Sequence, residues 1–381
     1  MKRVLCALIM AFWVCGDVGV MAGTAFVRVA ILREVSHCTL TIDGRYEVID
    51  QNTGKNLTTA IRLRPALVAL KGGAIQVGDS FFDARRITVI PRSDAMMSIN
   101  NRHYRGTVTI INNDDKSISV INSIELEQYI RGVLYHEVSD KWPLEAIKAQ
   151  AVATRTYAVY SMQQYAGRDF DMTSDIYSQV YGGRSSERYR TNLAVSRTRG
   201  EVLTYKGKVF PAFFHANCGG LTEDAKELWG IDLPPLKGGV VSPFSVDAPH
   251  YKWRRNFRLK DIQQKLNLAG VKVGEIADIR VMERNKSERV RSLKITARDG
   301  SSLKLDGKSF RDIVGPNLLL SNKYDIVMRG WYVDFEGYGW GHGVGMCQWG
   351  AYGMAKLRND YKKILVFYYP SSDITTFQNL D

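Results

Sequence analysis

Hydrophobic and polar residues alternate in short runs over the first third of the chain. The runs FVRVAIL, CTLTIDG, YEVID, ITVIP and GTVTIINN are rich in β-branched residues and are separated by Gly, Asn and Asp. A period of two places successive side chains on opposite faces of a strand. The pattern therefore predicts β structure over residues 25–122.

The period changes to a helical one after Ser123. The stretch IELEQYIRGVL predicts a short amphipathic helix, and Pro143 suits the first turn of a second helix over residues 144–164. Shorter helices are expected at 259–267 and 309–314. A hairpin is expected to turn at Lys206-Gly207.

Strand-like and helix-like stretches do not alternate regularly along the chain. This separation predicts an α+β fold, with a β-rich N-terminal part followed by a mixed α+β part. The hydrophobic content of 45% and the aromatic content of 10% exclude a disordered chain.

The first 22 residues have the pattern of an export signal. Lys2 and Arg3 precede an apolar run, and Val20-Met21-Ala22 offers a cleavage site. The run is too short for a typical membrane span, so we predict cleavage after Ala22, with an uncleaved anchor as the alternative. No other segment is expected to cross a bilayer. The predicted location is the periplasm or the cell-wall space.

The chain carries a formal charge of +13, of which the leader supplies one unit. A basic exported protein favours a polyanionic partner, such as a cell-wall polymer or a membrane surface. Export argues against nucleic acid, so no nucleic-acid partner is predicted.

The pair His136-Glu137 raises the question of a zinc peptidase. That motif needs a second His four residues after the first, and Asp140 stands there instead. Glu137 is expected in a loop before Pro143, where a carboxyl among apolar neighbours would keep its proton and act as a general acid. The alternative is a helix cap or a surface ion pair. Arg155 is expected either to orient a substrate or to pair with Glu137.

A second cluster, GYGWGHGVGMCQWGAYG, spans residues 337–353. It contains seven glycines together with aromatic and amide side chains. Glycine permits close backbone approach, and aromatic rings on such a loop are typical of a sugar-binding floor. The candidate substrate-binding residues are Tyr338, Trp340, His342 and Gln348.

A third cluster, FFHANCGGLTEDA, places His215 and Cys218 at a spacing that suits two zinc ligands. A structural zinc site would need two more ligands. The other interpretation is a polar turn with a buried cysteine. Three cysteines follow the leader, namely Cys38, Cys218 and Cys347, so at most one disulfide is possible.

The stretches around Glu137, His215 and His342 together resemble the stage II sporulation protein D (SpoIID)/LytB amidase-enhancer family. The resemblance covers roughly residues 115–370. It divides the chain into a signal peptide (1–22), a β-rich region (23–114) and a family-like domain (115–375). Members such as sporulation protein D act as lytic transglycosylases on peptidoglycan strands, with a preference for strands stripped of their peptides.

The resemblance implies roles for individual residues. It places the catalytic Glu on Glu137 and a motif Arg on Arg155, and it puts the loop around His342 beside the glycan cleft. Many members carry a Cys-Pro-Phe-Cys pair where this chain has SPFS at 242–245. The zinc site implied by His215 and Cys218 is therefore incomplete, with His250 as a possible further ligand, and no cofactor is required for the reaction.

Three functions remain in competition. The first is a lytic transglycosylase that cleaves MurNAc–GlcNAc strands to 1,6-anhydroMurNAc ends with a single Glu acid/base. The second is a non-catalytic, glycan-binding activator of a cell-wall amidase. The third is a wall-binding structural protein that depends on its positive charge.

Overall fold

A computed structural model describes residues 25–92, 95–114, 116–175 and 178–377. The predicted export signal lies outside these residues. Within them, no helix is both long enough and apolar enough to cross a membrane.

The N-terminal third forms most of a large sheet. Its strand order is β11-β1-β10-β9-β6-β2-β3-β4-β5, with the β7–β8 hairpin attached at β2. Neighbouring strands are antiparallel apart from the β1–β11 pair. The strands are β1 (Phe26–Val35), β2 (His37–Asp50), β3 (Asn56–Lys71), β4 (Ala74–Val77), β5 (Ser80–Phe82), β6 (Arg86–Pro91), β7 (Met96–Ile99), β8 (Arg102–Tyr104), β9 (Thr107–Asn113), β10 (Ser117–Glu125) and β11 (Met172–Thr173).

Two strands predicted separately, CTLTIDG and YEVID, form one long strand, β2. Cys38, Leu40 and Ile42 alternate into the core, and the register shifts between Asp43 and Tyr46. Gly44 lies in this shift with a φ of 120°, a conformation that side-chain-bearing residues rarely adopt. The glycine therefore accommodates the register shift within a single strand.

Helices α1 (Leu126–Glu137) and α2 (Leu144–Gln164) pack against this sheet. The second helix has the predicted bounds. The first begins later and ends later than predicted, so Glu137 is its last residue rather than part of the following loop. The predicted boundary at residues 114 and 115 falls between β9 and β10, which are paired strands of one sheet.

A second core lies on the other side of α2. The hairpin predicted at Lys206-Gly207 forms there, with Tyr205 paired to Lys208 across the turn. The elements around this core are α3 (Tyr189–Arg197), β12 (Glu201–Tyr205), β13 (Lys208–Val209), β14 (Phe214–His215), α4 (Ala225–Trp229), β21 (Met346–Cys347), α7 (Gln348–Lys356), α8 (Tyr361–Tyr368) and β22 (Asp373–Thr376).

A third core belongs to a subdomain inserted in the chain between α4 and β21, two elements of the second core. The insert enters on β15 and leaves on β20, which pair so that Lys252 faces Tyr338. Its elements are β15 (Lys252–Arg258), α5 (Leu259–Leu268), β16 (Ile276–Arg284), β17 (Val290–Ala297), β18 (Ser302–Asp306), α6 (Gly307–Val314), β19 (Tyr324–Arg329) and β20 (Tyr332–Tyr338). The fold is α+β, as the sequence pattern predicts.

Candidate functional site

Glu137 sits where α1 ends. The next residue, Val138, is extended, with φ −141° and ψ 151°, and its N–H donates to the carbonyl of Leu134. A carboxylate at this end of a helix faces the negative end of the helix dipole, which disfavours its charged form. The local structure therefore favours a protonated Glu137.

The Glu137 side chain opens into a cleft of about 400 Å³. Most of the lining is apolar or aromatic, and among the described lining residues Glu137 is the only carboxylate. The other lining residues are Tyr157, Ser178, Gln179, Val180, Phe213, Phe214, Trp229 and His342.

Burial dominates the acidity of this carboxyl group. Removal from water raises the pKa of Glu137 to about 7, and the contact with Gln348 opposes the shift only in part. The group keeps some exposed surface toward the cleft, but its surroundings are mainly aromatic. A carboxyl with this pKa can both give and take a proton near neutral pH.

Gln348, the first residue of α7, lies beside Glu137. Its amide nitrogen is 3.5 Å from a Glu137 carboxylate oxygen and 3.4 Å from the Gln150 side-chain oxygen. Both contacts are long for hydrogen bonds. The Gln348 side chain is buried, so it links α7 to α1 and α2 behind the carboxyl group.

His342 lines the cleft with its ring and not with a free nitrogen. Nε2 lies 2.9 Å from the Phe214 carbonyl, which can only accept, and Nδ1 accepts from the Val344 N–H at 3.1 Å. Burial and the neighbouring His215 hold the pKa of His342 well below its usual range. The ring is therefore neutral, and its centre lies 5.1 Å from the ring centre of Trp229. Together with Tyr157, Phe213 and Phe214, these two rings form the aromatic wall of the cleft.

Arg155 does not reach the cleft. Its guanidinium is fully buried and forms two hydrogen bonds with Glu127, at 2.8 and 2.9 Å, and a third with the Glu201 carbonyl. The expectation that Arg155 contacts substrate or pairs with Glu137 is therefore wrong for this structure. Its partner stands ten residues before Glu137 on the same helix, so Arg155 positions α1.

Tyr338 and Trp340 lie outside the residues that line the Glu137 cleft. Trp340 exchanges backbone hydrogen bonds with Asn217, and its ring meets His250 at 5.0 Å. Tyr338 ends β20 and packs against Tyr251 at 6.0 Å. Of the four predicted loop residues, the structure brings only His342 and Gln348 to Glu137.

His215 and Cys218 are joined by Cys347, which sequence spacing did not connect to them. One ligand atom from each of the three buried residues lies within 4.8 Å of the others. His215 donates through Nδ1 to the Val344 carbonyl at 3.0 Å, while its buried Nε2 has no hydrogen-bond partner. The exposed His250 is not in the cluster.

This donor set suits a zinc ion. One imidazole and two thiols are three of the four ligands that a tetrahedral zinc site needs, and a free buried Nε2 is otherwise costly. The thiol of Cys347 hydrogen-bonds to Cys218 and lowers the pKa of the Cys218 thiol. Of the two serines of SPFS, Ser245 has its hydroxyl 4.0 Å from the Cys218 sulfur, whereas Ser242 bonds Tyr368 instead.

A side chain from the insert supports the loop that carries His342. Arg289 is almost fully buried and donates to the carbonyls of Cys218 and Leu221 at 2.9 and 3.0 Å. A Cβ at Gly343 would lie 2.2 Å from this guanidinium. The glycine is therefore required by close packing as well as by its φ of 88°.

Arg289 is one of several residues that the sequence patterns did not indicate. Phe213, Phe214 and Trp229 also lie in the aromatic wall without having been predicted. The phenylalanine pair directly precedes His215, so its position beside that motif was the available signal. Nothing local marks Arg289, because its partners are about seventy positions away.

Comparison with known proteins agrees with this architecture. A family model described as Stage II sporulation protein matches residues 114–205, and one described as Domain of unknown function (DUF8618) matches residues 244–345. The first match contains Glu137, and the second covers the insert.

Individual proteins are similar to this chain over a larger part of its length than either family model. An uncharacterized protein of Brachyspira hyodysenteriae is 33% identical over 94% of this chain and 95% of its own length. Stage II sporulation protein D of Bacillus amyloliquefaciens is 33% identical over 67% of this chain and 75% of its own. The amidase enhancer of Bacillus subtilis is 27% identical over 65% of this chain and 40% of its own.

The matches define a class of proteins associated with the cell wall. Within that class, the chain belongs to the stage II sporulation protein D/LytB amidase-enhancer family, as the three motifs together predict.

Replacing Arg155 with Met is expected to lower the free energy of unfolding by about 3–5 kcal/mol, because it leaves the Glu127 carboxylate buried without its partner. Urea unfolding measures this loss. Arg197→Met, at an exposed position on α3, is the control and should change stability by less than about 0.5 kcal/mol. A stable Arg155→Met variant that no longer binds glycan would restore a direct substrate role.

The raised pKa of Glu137 predicts a pH-dependent stability difference. The unfolded chain ionises near pH 4.5 and the folded one near 7, so the wild type loses stability as pH rises between these values. Glu137→Gln lacks this loss. The melting temperature of the variant relative to wild type is expected to rise from pH 4.5 to 7 and then level off. A difference independent of pH contradicts the buried-acid description.

Proposed function

We propose that the chain is a lytic transglycosylase that cleaves MurNAc–GlcNAc strands of peptidoglycan, with Glu137 as its only acid/base. The observation that carries the proposal is a single carboxyl group, with a pKa of about 7, in an aromatic cleft. Glycoside hydrolases generally need two carboxyl groups across the scissile bond. A reaction with an internal nucleophile needs only one.

The reaction proceeds in two proton transfers. Protonated Glu137 donates to the glycosidic oxygen between C1 of muramic acid and glucosamine, and that C1–O bond breaks. The muramic C6 hydroxyl attacks C1, and its proton passes to the Glu137 carboxylate. The product is a 1,6-anhydro ring, the acid is regenerated, and no water is consumed.

The surroundings of Glu137 suit this exchange of roles. The aromatic wall keeps water away and holds the pKa near the working pH. Rings such as Trp229 and Phe213 offer flat apolar faces for sugar units. Tyr338 and Trp340 are assigned to a more distant part of the strand, since they lie outside the lining of the cleft.

The proposed site of action is the periplasm or the cell-wall space. The family is one of cell-wall proteins, and the formal charge of +13 suits an anionic wall polymer. The proposed substrate is the glycan strand after its peptides have been removed.

The test is mass spectrometry of purified glycan, with and without stem peptides, after incubation with residues 23–381. Wild type is expected to produce anhydro-ended fragments, and Glu137→Gln to lose at least about a thousandfold in rate, because general acid–base catalysis contributes about 10²–10⁴ to each step that uses it. Asp140→Asn, three positions further along, is the matched control and should stay active. Anhydro ends from the Glu137→Gln variant would overturn the proposal.

A second candidate is a non-catalytic activator of a cell-wall amidase. It is favoured by the similarity to a relative named amidase enhancer. The same incubation separates the two functions. Intact glycan in every sample, together with faster peptide release when an amidase is added, supports the activator.

We further propose that His215, Cys218 and Cys347 hold a structural zinc ion. The ion would tie β14 to β21 beneath the cleft and take no part in the proton transfers, because the cluster is buried. Protein produced with added zinc is expected to contain one zinc per chain, and Cys347→Ser to lose it and melt at a lower temperature. Cys38→Ser is the control. Metal-free protein whose melting temperature is insensitive to zinc would contradict the site.

A further inference from the structure

Two arginines without acidic partners lie beside the end of α1. Among the described residues, Arg102 and Arg188 form no ion pair, whereas nearby Arg105 is bonded twice to Glu187, at 2.7 and 3.1 Å. Unpaired guanidinium groups that lie close together repel one another. Their arrangement is therefore suited to an anion supplied from outside.

The two arginines come from different elements and lie near Tyr135 and His136. Arg102 begins β8, and Arg188 follows the 3-10 turn Gly183–Ser186. This turn connects to both elements, because the His103 N–H of β8 donates to the Ser185 hydroxyl at 3.1 Å and His136 Nε2 lies 2.6 Å from the Ser186 hydroxyl. The Arg188 guanidinium stacks 4.3 Å from the centre of the Tyr135 ring. Burial, Arg102 and Arg188, in that order, lower the pKa of His136, which places both charges near this ring.

Two stretches of chain connect this surface to the Glu137 cleft. His136 directly precedes Glu137 on α1. The backbone segment whose residues 178–180 line the cleft goes on to carry Arg188. The pKa of Glu137 is governed by burial and Gln348, so the arginines act at a neighbouring sugar unit and not at the scissile bond.

The chemistry of the glycan supplies a matching anion. When a stem peptide is removed from muramic acid, the lactyl group ends in a free carboxylate. While the peptide is attached, the same carbon is a neutral amide. Guanidinium groups bind carboxylates in a paired, planar geometry, and an exposed tyrosine ring with an arginine on its face offers a platform for a sugar.

We propose that Arg102 and Arg188, with Tyr135, form a carboxylate-binding subsite that recognises the lactyl group of a stripped muramic acid unit beside the cleft. The inference rests on the proposed glycan substrate and deepens it. It assigns the recognition of stripped strands to contacts contributed jointly by the N-terminal sheet and the segment after residue 178.

The experiment measures binding with Glu137→Gln as the background, so that cleavage does not interfere. The probes are stripped glycan, stripped glycan whose lactyl carboxylates have been amidated with methylamine, and glycan with intact stems. Replacing Arg102 and Arg188 with Gln is expected to weaken binding of stripped glycan about tenfold to a hundredfold. Amidation of the glycan should weaken binding to the unchanged arginines by a similar factor and add little once they are replaced.

The control replaces Lys260 and Lys294 with Gln, which removes the same charge from exposed positions of the described insert that form no ion pair. Equal weakening by the control, or no effect of amidation, would overturn the subsite. Loss confined to glycan with intact stems would overturn the lactyl assignment in favour of stem-peptide carboxylates. Arginine-dependent binding without any anhydro product from the Glu137-containing chain would retain the subsite and reject the transglycosylase.

Discussion

Helix α2 is the wall shared by two hydrophobic cores, and the positions of the other elements follow from it. Ile147 and Ala151 face the core of the large sheet, while Ala149 and Val152 face the second core. A helix buried on all sides must present small or apolar residues in every direction. Arg155 is the charged residue among the buried positions of α2, and its charge is retained because Glu127 neutralises it within the core.

That buried ion pair has a consequence for the chemistry. It fixes the start of α1 against α2, and the helix then carries Glu137 to its far end. Gln150 of α2 and Gln348 of α7 meet behind the carboxyl group. Helices α1, α2 and α7 therefore fix the position of the Glu137 carboxyl group. Burial beside the aromatic residues of the cleft raises its pKa.

The sequence predicted what depends on short-range patterns. The β-rich start, the bounds of α2 and the turn at Lys206-Gly207 follow from periodicity and from Pro and Gly. Glu137 lines the aromatic cleft and ends α1, whereas the sequence pattern predicts a loop at this position, because nothing in HEVSD marks the last helical turn. The partner of Arg155 and the place of Cys347 beside His215 depend on contacts between distant segments, which residue spacing cannot reveal.

The inserted subdomain enters and leaves through two adjacent strands, the arrangement expected of an interchangeable module. Its chain nevertheless returns to the host: Asn285 and Ser287 hold the buried Glu223 carboxylate at 2.6 and 2.9 Å, and Arg289 braces the glycine loop. Grafting another domain onto the same two strands would leave Glu223 without these donors. The insert and the loop beneath it are therefore one mechanical unit, which an exchange of the insert alone would break.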